Sequence, residues 1–353
     1  MKRIILSVCL GLYSLMAISQ TDVVQFLKGG KADANKLAQA YLEPYAFALG
    51  DGLNNGWYNT AKTHKLLGFD FTVTVSAIQI PKESQTFDLN TLGLKNMQVT
   101  SGSSIAPTVA GKNQAGPKIL VKDDKGNSIA SFNSPNGVGL DIVPVPMVQV
   151  GFGLLPHTDL IARYVPDIKY DNGGDQMKVG LWGIGCKHNF LEWIPVLKRL
   201  PFDASIFGSY SEVNAQSELS FTPQDYSESA GATITFTNSD DQLLQIKTKT
   251  SKFGLIVSKK LSILTVWAGI GHSSSKSNVD MLGKYPVITT VQGGGLSITN
   301  EDALVDPIAL NFKSSNVSMD AGVRLKLVFF SLFGSINKAQ YTSYNAGISF
   351  GMR

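Results

Sequence analysis

Cysteine is almost missing from this chain. Cys9 sits in an apolar leader and Cys186 stands alone after it, so a polypeptide stripped of that leader has no internal disulfide available and must hold its fold by other means. Long apolar runs are also missing. After IILSVCLGLYSLMAI (Ile4–Ile18) no stretch approaches the ~20 residues a helix needs to cross a bilayer, which excludes a helical inner-membrane anchor. Charge is sparse at 16%, and 31 basic residues face 27 acidic ones with no dense basic patch, so nucleic acid is excluded as a partner. Metal ligands are few. Cys186 and His188 share one face of a strand, but a stable site needs three or four ligands and His64, His157 and His272 lie far along the chain. No metal and no cofactor are expected, and no Pro/Ser-rich linker divides the chain.

The leader itself is informative. Lys2 and Arg3 precede the apolar stretch, and Ala17 and Ser19 place small residues before Gln20, the pattern of a secretory signal peptide spanning residues 1–19. Cys9 lies inside the apolar core with no small residue before it, which argues against a lipoprotein. The rest of the chain is rich in glycine and has a mean hydropathy near zero, as expected when apolar residues are plentiful but dispersed.

They are dispersed with a period of two. In FDFTVTVSA, Phe69, Phe71, Val73, Val75 and Ala77 alternate with Asp70, Thr72, Thr74 and Ser76; near the end Met319, Ala321, Val323, Leu325 and Leu327 alternate with Ser318, Asp320, Gly322, Arg324 and Lys326. Strands place such sets on opposite faces. Alternation alone suits a soluble sandwich as well as a membrane barrel. Three features favour lipid on the apolar side. Segments of about ten residues recur at 147–155, 158–169, 176–189, 203–213, 231–237, 243–250, 252–259, 261–271, 317–328, 330–339 and 342–352, the length of a tilted outer-membrane strand. Tight connections, such as Lys259-Lys260, contrast with long polar ones at 100–117, 214–230 and 272–316. Trp182, Trp193, Trp267, Tyr210 and Tyr344 fall near strand ends, where an interfacial girdle belongs.

These patterns predict an all-β protein: a transmembrane antiparallel β-barrel of about 12–14 strands over residues 67–353, with further strands hidden in 80–100 and 280–300. It comes after a helical and irregular segment, 20–66, that either plugs the lumen or caps it from the periplasm. In that segment Leu37, Tyr41, Tyr45 and Leu49 form a helical stripe. Asp33 is a candidate cap, Pro44 is expected to break the helix in two, and Gly50 and Gly52 to end it. The expected location is the outer membrane of a Gram-negative envelope, with outer-membrane lipid and the barrel-assembly machinery as partners. The apolar-aromatic C-terminal strand looks like an assembly signal, though it closes on Phe350-Gly351-Met352-Arg353.

Two short motifs suggest enzymes. GISFG contains Ser349 in a G-x-S-x-G, but a nucleophile elbow needs a helix and a later histidine, and only Phe350 to Arg353 remain. GHSSSKSN (Gly271–Asn278) looks like the GHxS of outer-membrane phospholipases, with His272 and Ser274 on one face and Asn278 as orienting residue; the alternative is a strand running into a serine-rich loop. ILVKDDKGNSIASF reads as a hairpin and lacks the spaced oxygens of a calcium loop. FLEWIPVLKRLPF reads as a wedge at a membrane interface or a buried turn.

A signal, a short helical and Asn/Gly-rich segment, and then a barrel together resemble the long-chain fatty-acid transporter (FadL-type) family of outer-membrane proteins. YNTA (Tyr58–Ala61) resembles the Asn-Pro-Ala element of that family's hatch, with Thr60 in place of proline. VPMVQVGFG with the following Arg163 resembles one of its hairpins and those of related uncharacterised barrels. The resemblance implies fourteen strands, a gated path and a hydrophobic or amphipathic small-molecule ligand, with Asn55, Trp57, Tyr58 and Asn59 as gate candidates. The competing functions are a non-transporting barrel that anchors or assembles with an envelope protein partner and, third, a lipid hydrolase.

Overall fold

The computed structural model describes residues 25–352 except 101, 124, 173–174, 195, 197–198, 220–232, 235–241, 286–288, 291–295 and 299–302. The predicted signal peptide lies outside the described residues, as does the predicted segment 231–237 apart from Thr233–Ile234, which form a short strand in a small sheet separate from the barrel. Ten antiparallel strands form a closed barrel: β1 (Phe69–Gln79), β2 (Ile142–Leu155), β3 (Thr158–Asn172), β4 (Asp175–His188), β5 (Asp203–Glu218), β6 (Leu243–Leu261), β7 (Leu264–Leu282), β8 (Ile308–Lys326), β9 (Phe330–Lys338) and β10 (Thr342–Met352). Each pairs with its sequence neighbours, and β1 closes on β10 from Phe69↔Met352 to Gln79↔Thr342. Closure removes the edges on which other chains could pair.

The burial pattern is inside out. In β1 the polar set is buried, Thr72 at 1% exposure, while Phe71 on the other face is 40% exposed. Ser349 faces inward and Phe350 outward in β10, so GISFG is a strand with its serine in the lumen. Outward-facing Phe253, Leu255, Val257 and Leu261 of β6 are exposed. At ~3.3 Å per residue and ~40° tilt this stretch is roughly 20 Å tall, approaching the ~25 Å apolar band of membrane barrels. No helix among the described residues is long and apolar enough to cross a bilayer, which leaves any crossing to the strands.

The strand number is ten, below the 12–14 expected, and the cause is a change of phase within long strands. In β8, Ile308, Leu310 and Phe312 face inward with Asn311 and Lys313 outside; from Val317 onward the apolar set is outside and Ser318, Asp320 and Arg324 are inside. Such a flip reads in sequence as a strand end followed by a loop. Windows 243–250 and 252–259 are therefore halves of β6, and much of the supposed loop 272–316 is the far ends of β7 and β8. The tight turn expected at Lys259-Lys260 is at Ser262-Ile263, where Ser262 takes φ +56°. Residues 80–100 give no barrel strand. They belong to a 62-residue excursion, 80–141, whose short strands (Met97–Val99, Lys118–Lys122 and Ser128–Asn133 among them) form small separate sheets, including the predicted 119–132 hairpin. Trp267 leaves the predicted girdle because its parity points inward, whereas Trp182, Tyr344 and Trp193 are exposed.

One end of the barrel has short turns at 156–157, 262–263 and 327–329; the other carries the excursion and the connections 219–242 and 283–307. Helix α1 (Gly30–Asn54) enters from this loop end and packs against β1, β2, β5, β6, β7 and β8, which places it inside the ring. The inner faces there are apolar, with Ile78, Val145, Val279 and Leu310 buried against Leu37, Tyr41, Leu49 and Leu53. Burying side chains of this size contributes about 1.5–3 kcal/mol each, and several together outweigh the ~3 kcal/mol cost of a proline in a helix. Hence α1 runs unbroken through Pro44, contrary to the expected break. Asp33 does not cap it; its carboxylate accepts from the amides of Lys95 (2.9 Å) and Asn96 (2.7 Å) in the excursion.

Gly50 and Gly52 do not end the helix either. A Cβ at Gly50 would overlap the Ser275 side chain, and one at Gly52 would overlap Val145, so the glycines let α1 lie against the wall. Gly52→Val is expected to destabilise the folded barrel by about 1–3 kcal/mol through overpacking. The check is the temperature at which the fast-migrating unboiled band disappears in detergent gels; no fall in that temperature would contradict the close approach.

Candidate functional site

Beyond α1 the chain runs as an irregular thread, residues 55–66, down the turn-end half of the lumen. Here the inner faces of the strands are polar, because their apolar parity is turned outward. A thread without helical bonding needs partners for its peptide groups, and barrel side chains supply them at three levels.

At the first level Arg163 of β3, 1% exposed, donates from Nη1 to Leu53 O (2.8 Å), from Nη2 to Asn55 O (2.6 Å) and from Nε to Gln149 Oε1 (3.0 Å). Its guanidinium lies 3.7 Å over the Trp57 ring, and Gln149 Nε2 donates to Trp57 O (3.1 Å). The planar fork of arginine suits this combination of several directed donors and a stacked face. On the opposite side Asn55 Nδ2 donates to Ser343 Oγ at 2.7 Å. Just above, Asp51 accepts from the Tyr341 amide at 2.8 Å in the 339–341 turn, outside the strands, and burial pushes its carboxyl up to about 6 despite that bond and Lys252.

At the second level Tyr58 OH donates to both carboxylate oxygens of Asp320 (3.0 Å each), and Lys252 Nζ pairs with Asp320 at 3.1 Å. The Tyr58 ring meets Phe207 and Trp267 edge-on, at centroid distances of 4.9 and 5.4 Å, a geometry that favours aromatic pairs.

The third level is nearest the turn end. Lys187 Nζ pairs with Asp159 (3.0 Å) and donates to Lys62 O (3.0 Å), while the His64 amide donates to Asp159 Oδ1 (2.7 Å). The His64 ring lies between Asp159 (3.1 Å) and Asp70 (3.3 Å). Ser205 Oγ donates to Ala61 O, and Ser258 Oγ accepts from the Ala61 amide.

The sequence-predicted gate residues all lie in this half of the lumen, Asn55, Trp57 and Asn59 buried and Tyr58 half-buried. The structure brings Trp57 and Tyr58 against barrel side chains that sequence reasoning did not single out as a site, Gln149, Lys252 and Asp320, and sets Asp159 and Lys187 against the following residues Thr60, Lys62 and His64. The signal of these barrel residues was present, since each is a polar or charged residue on the inward parity of a strand.

The enzyme candidate is taken apart. His272 faces outward with Nε2 3.0 Å from Ser315 Oγ, Ser274 Oγ bonds to Ser251 (2.9 Å), and Asn278 accepts from Asn311 (2.6 Å). His272, Ser274 and Asn278 do not form a relay. Among the described residues no three His, Cys, Asp or Glu side chains gather as metal ligands.

At the loop end, a crevice of about 740 Å³ opens in the excursion, lined among others by Lys82, Thr86, Ile105, Pro107 and Lys112. It joins apolar surface to two ammonium groups.

Comparison with solved structures finds weak likenesses to other proteins. Ail, the attachment invasion locus protein of Yersinia pestis, is 6% identical over 82% of this chain and 100% of that one (TM-score 0.26). The outer membrane protease OmpT from Escherichia coli is 8% identical over 84% and 100% (TM-score 0.31). The translocator domain of the autotransporter NalP from Neisseria meningitidis is 9% identical over 88% and 93% (TM-score 0.27). Scores this low carry no functional argument. No curated protein matches the chain. A family model matches residues 1–352, and the chain belongs to that family, a family of unknown function (DUF6588).

Proposed function

We propose that this protein is an outer-membrane β-barrel whose lumen is closed by its own N-terminal segment, and that it is a gated conduit for hydrophobic or amphipathic small molecules. The observation that carries the reading is the way the thread 55–64 is held: by Arg163, Asp320, Lys252, Asp159 and Lys187, through charged and hydrogen-bonded contacts. Buried charges are costly and stabilise only while paired; a barrel built to stay shut is filled more cheaply with apolar side chains. Contacts of this kind can be exchanged for water when the thread leaves. The apolar upper lumen would then offer a non-polar surface, and the loop-end crevice, with Ile105, Pro107 and two lysines, suits an amphipathic carboxylate arriving from outside. The FadL-type resemblance of the layout agrees with such a ligand. Signal-directed export and the exposed apolar band support the outer-membrane location, with the loop end facing outward.

The second reading is a barrel that anchors or assembles with an envelope protein. It is favoured by the excursion 80–141, which builds a folded surface above the barrel. Vesicles containing the protein should take up a fluorescent long-chain carboxylate faster than protein-free vesicles, and Lys82→Gln with Lys112→Gln should slow that uptake. Equal uptake with and without protein would dismiss the conduit and leave the anchor.

A further inference from the structure

The outward faces of β6, β7 and β8 carry two polar rows in register above the apolar band. The band's last members are Phe253, His272 and Val317, paired across the strands. Two residues on come Ser251↔Ser274↔Ser315, and two further on Lys249↔Lys276↔Lys313. All three lysines are exposed. Like charges directly opposite on neighbouring strands are destabilising, and here two such pairs occur side by side. Glu212 answers part of this charge, 3.8 Å from Lys249 and 2.9 Å from Lys247. Among the described residues no carboxylate pairs with Lys276 or Lys313. An arrangement that is unfavourable in isolation calls for an anion from outside the chain.

Its level identifies which anion. Four residues beyond the band is about 10 Å along the barrel axis at ~40° tilt. That is headgroup depth for a lysine, whose stem can lay its ammonium back toward the apolar boundary. The serine row lies between, with hydroxyls able to donate to phosphate oxygens. We propose that Lys249, Lys276 and Lys313, with Ser251, Ser274 and Ser315 beneath them, form a binding site for the phosphate group of an anionic lipid in the leaflet on the loop side. The site rests on the membrane-barrel reading above and is independent of the conduit.

The test uses the full chain reconstituted into phosphatidylcholine vesicles containing a minor share of phosphatidylglycerol, then re-extracted with detergent, with bound lipid measured by mass spectrometry. The retained lipid should be enriched in phosphatidylglycerol. Lys276→Gln with Lys313→Gln should cut the enrichment by roughly fivefold for each lysine removed, while Lys276→Arg with Lys313→Arg, and Lys118→Gln with Lys122→Gln in the excursion, should keep it. All variants should retain the fast unboiled band that reports a folded barrel. Enrichment that survives the Gln pair, or is absent in the natural chain, overturns the site. Displacement of the lipid by inorganic phosphate would assign the lysines to free phosphate and overturn it equally. A chain that never enters the vesicles would sink the membrane reading as well; one that inserts without enrichment sinks this site alone.

Discussion

A chain lacking residues 25–60 is expected to conduct ions steadily in a planar bilayer, where the full chain should stay near baseline. Ten strands enclose more room than the ~8-stranded barrels whose interiors are just filled by side chains, and here the extra room is taken by α1 and the thread. The deletion takes α1 and the thread as far as Thr60, which uncovers Lys252 and Asp320 in the turn-end half, a surface that holds water, while Lys62 and His64 stay beside Lys187, Asp159 and Asp70. The loop-end half keeps its apolar collar of Ile78, Val145 and Leu310, so the conductance should rise less than an all-polar lumen of that width would allow. Thermal loss of the unboiled fast band shows whether the truncated barrel is folded before its current is read. A folded truncated barrel that stays at baseline would mean that the strands alone close the lumen, and the gating role of the segment would be abandoned.

Asp159→Ala is expected to weaken the docked arrangement by about 3–5 kcal/mol, the usual consequence of leaving a buried charge without its partner. Lys187 would lose its carboxylate at 3.0 Å while keeping the carbonyls of Thr60 and Lys62 as acceptors, and the His64 amide would lose its short bond. Removing both charges, Asp159→Ala with Lys187→Ala, should recover part of the loss, since neither ion is then stranded. The natural chain, both single variants and the double variant, compared by the temperature at which the folded band is lost and by the frequency of channel openings, complete the cycle. A double variant that behaves as the sum of its singles would show that the two groups do not act as a pair. Frequent openings in Asp159→Ala, without loss of the barrel, are the outcome that the gated reading requires.

How much of the fold was legible in residue order differed along the chain. β1 and β10 were, because Phe69–Ala77 and Tyr344–Phe350 keep one phase of alternation, polar side chains inward and apolar ones outward. β6 was legible as two separate segments, 243–250 and 252–259, and β7 and β8 only in their band halves. Their outer halves face water on the outside and α1 on the inside, and this reverses which parity is apolar. The gate candidates were found through a local resemblance, but their partners were not. Arg163 and Asp320 are brought to Trp57 and Tyr58 from 106 and 262 positions away, as their numbers show, and no local pattern encodes such a distance.

Residue order alone determined that this chain forms strands with one apolar and one polar face, and that a helical segment precedes them. Those properties come from side-chain period and composition, which are local. Only the closed ring decided how many strands there are, that the helix sits within them, and which charges face the thread, because each of these depends on what lies across the lumen. A strand's parity fixes which side chains share a face; closure, by setting register and curvature, fixes what that face meets.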